Sequence, residues 1–280
     1  AGRTLAVSPA APTLEVNRGD TTAQVAFQLT ENGAPVSGVW SVDRGEIGSV
    51  AVGSGVFVAR GSTGGRATVT ATFRTCTVSA VVTVKLKATM NGETVAGDAG
   101  AGAGGYGGVG GEGPGGPVAG ADLTALTQDG AESPAVTWLY PYEQTVFPRG
   151  TLPPLLQWRN TGADVQAIRL RLDSATYSFD GTFGRPVFLT SGPYVRHPIP
   201  REVWDEALRS NEGDELLVRV TLVTGTSTKT TVRLPERRVK IAKGPLKGTV
   251  YYNSYGTQLA KNFSGALISN PTLVDGGAPT

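Results

Sequence analysis

Few side chains in this sequence have the types and spacing for chemistry. His197 is the only histidine in 280 residues, and Cys76 the only cysteine. A histidine can act as the base of a Ser–His–Asp triad. No G-x-S-x-G elbow brings a nucleophile to meet it, however, and flanked by Arg196 and Pro198 it reads as a loop residue. Cys76 shares the parity of Val78, Ala80, Val82, Val84 and Leu86, which predicts a buried thiol behaving as a small hydrophobe. One cysteine excludes an internal disulfide, and one histidine excludes a His-rich metal centre. Asp205-Glu206 and Glu212-x-Asp214-Glu215 flank one predicted helix. They lack the D-x-[DN]-x-[DN]-G loop that grips calcium and read as a solvated charged face. A glycosidase needs two carboxylates that meet only in space, and nothing in their spacing favours such a pair. The expectation is a non-enzyme with no catalytic residue, no cofactor and no metal.

Two other groups have the composition of contact surfaces. Trp138, Tyr140, Tyr142, Phe147 and Trp158 crowd one stretch of chain. Exposed, they would make a platform for stacking on sugar rings; buried, they are sandwich core. Arg233, Arg237, Arg238, Lys240, Lys243 and Lys247 form a basic run against one acid, Glu236. Such a run can meet a polyanion or anionic lipid. It is also the outer face of strands whose inner face is Val232, Leu234, Val239 and Ile241. Trp138, Tyr140, Tyr142, Trp158, Arg237, Arg238 and Lys240 are therefore the candidate ligand or partner contacts. A net charge of +2 argues against nucleic acid as the partner.

These residues need elements to hold them. Residues 97–120 read GDAGAGAGGYGGVGGEGPGGPVAG, 13 glycines in 24. With so little to bury, this stretch cannot offset its ordering entropy and predicts a flexible linker over 97–122. No GK[ST] follows to make it a phosphate loop. Residues 1–90 alternate apolar and polar in short runs, among them TLEVNRG, AQVAFQLT, GVFVAR and ATVTATF. About seven strands at this spacing predict an antiparallel sandwich. The parity switch between Phe73 and Cys76 puts a tight turn at Arg74–Thr75. Residues 123–248 are again strands; Ile168, Leu170 and Leu172 face one way, Arg169 and Arg171 the other. One helix interrupts them at IPREVWDEALRS, begun by Pro200, with Val203, Trp204, Ala207 and Leu208 as its apolar face. The tail, 249–280, has two apolar stretches, Val250, Tyr251, Tyr252 and, later, Leu267, Ile268. Such a tail can add a strand to a neighbouring sheet edge.

Leu5, Val7 and Pro9, the strand around Trp40, Asp43-Arg44-Gly45-x-Ile47-Gly48, GVFVA at 55–59 and Gly64-Gly65-x-Ala67-x-Val69-x-Ala71 resemble bacterial Ig-like domains of the Big-2 type. That resemblance implies a disulfide-free Ig sandwich that spaces or presents other domains. The string at 138–158, WLYPYEQTVFPRGTLPPLLQW, with IPREVW and KGTVYYNSYGT further on, is similar to fibronectin-III/Ig-like modules that precede TolB-like β-propellers in myxobacterial surface lipoproteins. After Gly248 only 32 residues remain, fewer than the roughly 40 of one propeller blade.

The fold class expected is all-β: two Ig-like/fibronectin-III-like sandwiches joined by a Gly-rich linker, with one short helix in the second. No apolar run is long enough to span a membrane. The start, AGRTLAVSPA, lacks the charged region and apolar core of a leader; a mature exported protein would look like this after cleavage, and so would a trimmed or a cytosolic one. The functional expectation is a non-enzymatic, exported cell-surface or extracellular protein for spacing, display, adhesion or assembly. Its partners would be other surface proteins, itself or a polysaccharide. One alternative is a carbohydrate- or polymer-binding accessory region of a propeller lipoprotein, which exposed Trp138 or Trp158 would favour. Another is a filament subunit joined through its tail.

Overall fold

The computed structural model describes residues 3–93, 114–184 and 193–245, and the backbone of 249–250 and 274–275. The chain forms two compact units. The first is Ala1–Ala88 with Ala175–Ser178 and Arg209–Asn211; the second is Thr89–Ser174, Phe179–Leu208 and Glu212–Thr280. The first therefore takes in two short segments far along the sequence, which strand periodicity does not announce.

Ten strands begin the chain: β1 (Leu5–Ser8), β2 (Thr13–Asn17), β3 (Gln24–Ala26), β4 (Gln28–Glu31), β5 (Ala34–Val36), β6 (Val39–Val42), β7 (Gly48–Val50), β8 (Val56–Ala59), β9 (Gly65–Phe73) and β10 (Cys76–Asn91). In unit 1, β10 pairs antiparallel with β9, which pairs with β6, while β2 runs parallel to β10. Two three-stranded sheets, β1-β4-β5 and β3-β8-β7, complete it. The turns follow from their residues. Asn32-Gly33, both at positive φ, closes the β4–β5 hairpin, as a two-residue turn between twisted strands requires. Arg74, at φ 56°, turns β9 into β10 with Cys76 opposite Phe73. The core is Phe27, Trp40, Ile47, Phe57, Val69, Val82 and their neighbours, all buried. Gly55, at φ +71°, lies where a Cβ would stand 2.7 Å from the Trp40 ring, so the backbone can cross the indole only without a side chain. A buried polar knot also belongs to unit 1. Thr176 Oγ1 donates to the Ser210 carbonyl (2.6 Å), and Ser210 Oγ accepts from the Gly64 amide (2.9 Å).

Unit 2 contains α1 (Gly120–Leu126), β11 (Ala131–Glu132), β12 (Val136–Tyr140), β13 (Thr145–Arg149), β14 (Leu155–Asn160), β15 (Val165–Asp173), most of β16 (Tyr177–Gly184), β17 (Tyr194–Pro198), most of α2 (Arg201–Ser210), β18 (Glu215–Thr224), β19 (Thr230–Arg233) and β20 (Arg237–Pro245). One sheet is built on β15 antiparallel to β18, which pairs with both β19 and β20. Two parallel additions, β11 on β19 and β13 on β20, widen it. The other sheet is β12-β14-β17. Ile168, Leu170 and Leu172 are buried as their alternation requires. So are Val203, Trp204, Ala207 and Leu208 on α2. The Trp204 ring meets Phe147 edge-on at 5.1 Å, and its Nε1 donates to the Thr151 carbonyl (3.0 Å).

Two helices are present among the described residues where one was expected. The extra one, α1, overlaps the stretch assigned to the linker and packs Leu126 against Val118, Ala167 and Val223. Residues on either side of 94–113, which lie outside the described residues, meet in unit 2. Asn91 Nδ2 donates to the Val118 carbonyl (3.1 Å), and Asn91 Oδ1 accepts from the Val118 amide (2.9 Å) and Thr182 Oγ1 (2.8 Å). The Glu93 amide donates to Gly115 O (2.9 Å), and the Gly184 amide to Gly116 O (2.7 Å). One side chain thus does the work of a paired strand residue. Asn91→Ala is expected to destabilise the protein by about 1–3 kcal/mol in urea unfolding. Asn91→Asp, which keeps the acceptor and loses the donor, should fall between it and wild type.

Candidate functional site

The aromatic and basic groups, separated by about a hundred residues, come together in unit 2. Trp138 on β12 lies opposite Trp158 on β14, their rings 6.3 Å apart and edge-to-face. Both are buried, Trp138 to 8% exposure and Trp158 to 0%. Trp138 Nε1 donates to the Pro235 carbonyl at 2.6 Å. The two indoles are core, and the sugar-stacking platform that needed one of them exposed is not formed by them. Tyr140 is half-buried against Phe147, and burial raises the pKa of its hydroxyl above the ordinary value, with Tyr142 adding to the shift. Of these five aromatics, Tyr142 alone is exposed, at 72%.

Because β20 runs parallel to β13, with Val146 opposite Lys240, the basic run lies beside the turn that carries Tyr142. The Arg237 guanidinium stands 5.7 Å from the Trp138 ring and 3.7 Å from Glu143. The Arg238 amide donates to the same carboxylate (3.0 Å). Lys240 is 3.9 Å from Glu215. Val239 and Ile241 are buried between them, so alternation accounts for the outward cations of this strand, and carboxylates answer Arg237 and Lys240. The corner formed by Tyr142, Glu143, Arg237 and Arg238, with exposed Val146 nearby, can make polar and apolar contacts but holds no reactive group.

Two expectations need correction. His197 is not on a loop: it lies within β17, 1% exposed, with its ring 5.0 Å from Phe183. Its Nε2 is 2.9 Å from the Pro114 carbonyl, so it donates there. Burial lowers the pKa to about 4, against the pull of the Pro114 and Pro198 carbonyls. The ring is a neutral core side chain at ordinary pH. The flanking Pro198 suggests a loop, but the antiparallel pairing of β17 with β14, in which Pro198 lies opposite Leu155, holds the stretch as strand. Cys76 is exposed rather than buried. It starts β10 at the hairpin, and its face is covered only from Ala80 onward. It borders a cavity of about 300 Å3 with Arg3, Glu31, Phe73 and Arg74.

The carboxylates disperse. Asp205 is 3.7 Å from Arg201, and Glu212 3.3 Å from Arg149. No group of three or more His, Cys, Asp or Glu placed to hold a metal occurs among the described residues. Of the tail residues, Val250 has its backbone in a two-residue strand, Thr249–Val250, antiparallel to Val274–Asp275. Tyr251, Tyr252, Leu267 and Ile268 lie outside the described residues. Sequence reasoning gave little weight to the outward arginines of β15, β18 and β19, although their alternation with buried Leu and Val marks them as one face.

No family model matches the sequence, and no curated protein matches it. Solved structures do. The chain is similar to the N-terminal four Ig domains of Dscam1 isoform 7.44, with 9% identity, 86% of this chain and 46% of that one covered, and a TM-score of 0.25. It is similar to a Ca2+-stabilized adhesin with which an Antarctic bacterium binds ice, at 11% identity, 90% and 52% coverage and TM-score 0.26. Fibronectin(III)-like modules of Clostridium thermocellum CbhA match at 10% identity, 86% and 94% coverage and TM-score 0.23. The chain spans about half the length of the first of these structures. The fold is all-β, of the Ig-like and fibronectin-III-like sandwich type. Its own strand pairing carries that assignment. No helix among the described residues is long and apolar enough to cross a membrane.

The histidine makes stability pH-dependent. Its folded pKa lies below the usual 6.5, so the unfolded chain takes up the proton first as pH falls. The contribution is complete above about pH 6.5 and is lost toward pH 4. Urea unfolding should show a loss of about 2–3 kcal/mol between about pH 7.5 and 4.5. His197→Gln should flatten that slope. An unchanged slope in the variant would assign the acid sensitivity to other groups.

Proposed function

We propose that this chain is a non-enzymatic, exported surface or extracellular module that spaces and displays partners or adheres to them. The observation that carries the reading is the placement of its chemically capable side chains. The histidine and both candidate tryptophans are core, and Arg233, Arg237 and Lys240 of the basic run stand against carboxylates. What faces solvent on unit 2 is contact chemistry: Tyr142, Val146, Leu139 and Tyr194 among the large apolar residues, beside Arg237 and Arg238. Scattered exposed apolar groups are ordinary. Tyr142 next to Arg237 and Arg238 is different, since tyrosine and arginine are the side chains that most often anchor protein contacts. The Big-2 likeness of residues 1–90 and the propeller-associated likeness further on support the same reading. Burial of Trp138 and Trp158 counts against a sugar platform built on them, and leaves protein partners or the chain itself as the occupants of that corner.

Surface location is the part most directly tested. Trypsin added to intact producing cells is expected to remove the protein from the cell-associated fraction, with a cytosolic marker untouched. Protection until lysis would overturn the reading. Tyr142→Ser with Arg238→Ser, both exposed, should leave unfolding within about 0.5 kcal/mol of wild type. The same variant should weaken attachment of the protein to cells that lack it by about tenfold.

A further inference from the structure

The outer face of unit 2 holds a cavity of about 280 Å3 over β15, β18 and β19, lined by Arg171, Arg219, Thr221, Arg233, Asp129 and Glu236. The register places these residues. Arg171 lies opposite Arg219, and Thr221 opposite Arg233, so three guanidiniums converge from three adjacent strands. Like charges directly opposite on a sheet repel, and carboxylates answer them from the rim. Asp129 Oδ1 accepts from Arg171 Nη2 (2.5 Å), and Glu236 Oε1 accepts from Arg219 Nε (2.5 Å). Glu132, outside the lining, is 3.2 Å from Arg233 Nη2. Each carboxylate takes one edge of its arginine and leaves the others.

What remains is an excess of donors. Arg171 Nε and Arg233 Nε are both buried with no hydrogen-bond partner. An unsatisfied buried donor is costly, most of all on a charged group, and here two belong to arginines that line one cavity. Among the lining residues three cations stand against two carboxylates. Guanidinium presents a planar fork of N–H groups that matches the oxygens of a carboxylate, sulfate or phosphate. The volume is at the small end for ligand sites, about 300 Å3, and suits one anionic group or one acidic sugar unit.

We infer that this cavity binds an oxyanion, carried as a sulfate, phosphate or carboxylate group, either free or as a substituent of an acidic glycan. The oxyanion accepts from the unpaired edges of Arg171 and Arg233, while Asp129 and Glu236 hold Arg171 and Arg219 in place. This goes beyond a display role, which does not require any small ligand.

The test is a titration of the whole chain with sodium sulfate against sodium chloride at equal ionic strength, and separately with oligogalacturonate. The arginine Nε–H resonances are followed by NMR. Saturable shifts of the Arg171 and Arg233 signals with sulfate are expected. Arg171→Gln with Arg233→Gln should weaken binding about tenfold or more, and Lys87→Gln, at an exposed lysine paired with Glu15, should leave it unchanged. Per anionic group, oligogalacturonate binding tighter than sulfate assigns the site to a glycan; equal affinity assigns it to the free ion. No saturable shift with either probe overturns the inference. So does binding that moves other resonances only, a result read on wild-type protein and so independent of whether the double variant folds. Failure here leaves the surface reading intact, because trypsin accessibility on cells is a separate measurement.

Discussion

In the β15–β18 ladder Leu170 lies opposite Val220 and Leu172 opposite Val218. The alternation that buries these four side chains also sets Arg171 opposite Arg219. A slip of one residue would put every arginine into the core and every leucine into water. The register is therefore held by the hydrophobic face, at roughly 1.5–3 kcal/mol for each large side chain removed from water. The polar face must then solve the repulsion this creates. Asp129 arrives from the turn after α1 and Glu236 from the β19–β20 connection, so two loops are tied to the sheet by the charges it cannot avoid presenting.

The same logic of one side chain settling a backbone problem operates at Asn91. Strand β10 ends there, and the amide group of Asn91 bonds both polar atoms of Val118 as a neighbouring strand would. Val118 and Leu126 then have a fixed place to bury against Ala167 and Val223. A segment that composition marks as unable to order itself thus has its end fixed by a residue outside it. Glycine content says how little a stretch can contribute to its own folding; it does not say what its ends are tied to.

Much of the fold was legible because period-two alternation is a local signal. The parities of β10 and β15, the turn at Arg74–Thr75 and the apolar face of α2 all follow from residues a few positions apart. What was not legible depends on partners distant in sequence. Thr176 and Ser210 join the first unit through the Gly64 amide, and no pattern near Gly64 points to them. Parity placed Cys76 on the right face, but whether that face is covered depends on how far the opposing sheet extends. For the aromatics both readings were open, and the cross-strand pairing of Trp138 with Trp158 decided for the core. The approach of Glu143, beside Tyr142, to Arg237 and Arg238 required the parallel pairing of β13 with β20, which sequence alone does not supply.

Magnitudes separate what holds the fold from what its surface can recognise. A buried tryptophan such as Trp158 removes on the order of 150–250 Å2 from water, worth several kcal/mol at about 25 cal/mol per Å2. A half-exposed ion pair such as Arg233 with Glu132 contributes about 0–1 kcal/mol. The core thus has an ample margin over the surface pairs, and the fold does not depend on them. Their consequence lies in selection. With Asp129 and Glu236 seated, a cationic group approaching the cavity meets carboxylates already engaged and guanidinium edges that repel it, whereas an oxyanion meets donors with nothing to donate to. The stable register supplies the scaffold, and the imbalance of donors over acceptors on its outer face determines the sign of charge that face will accept.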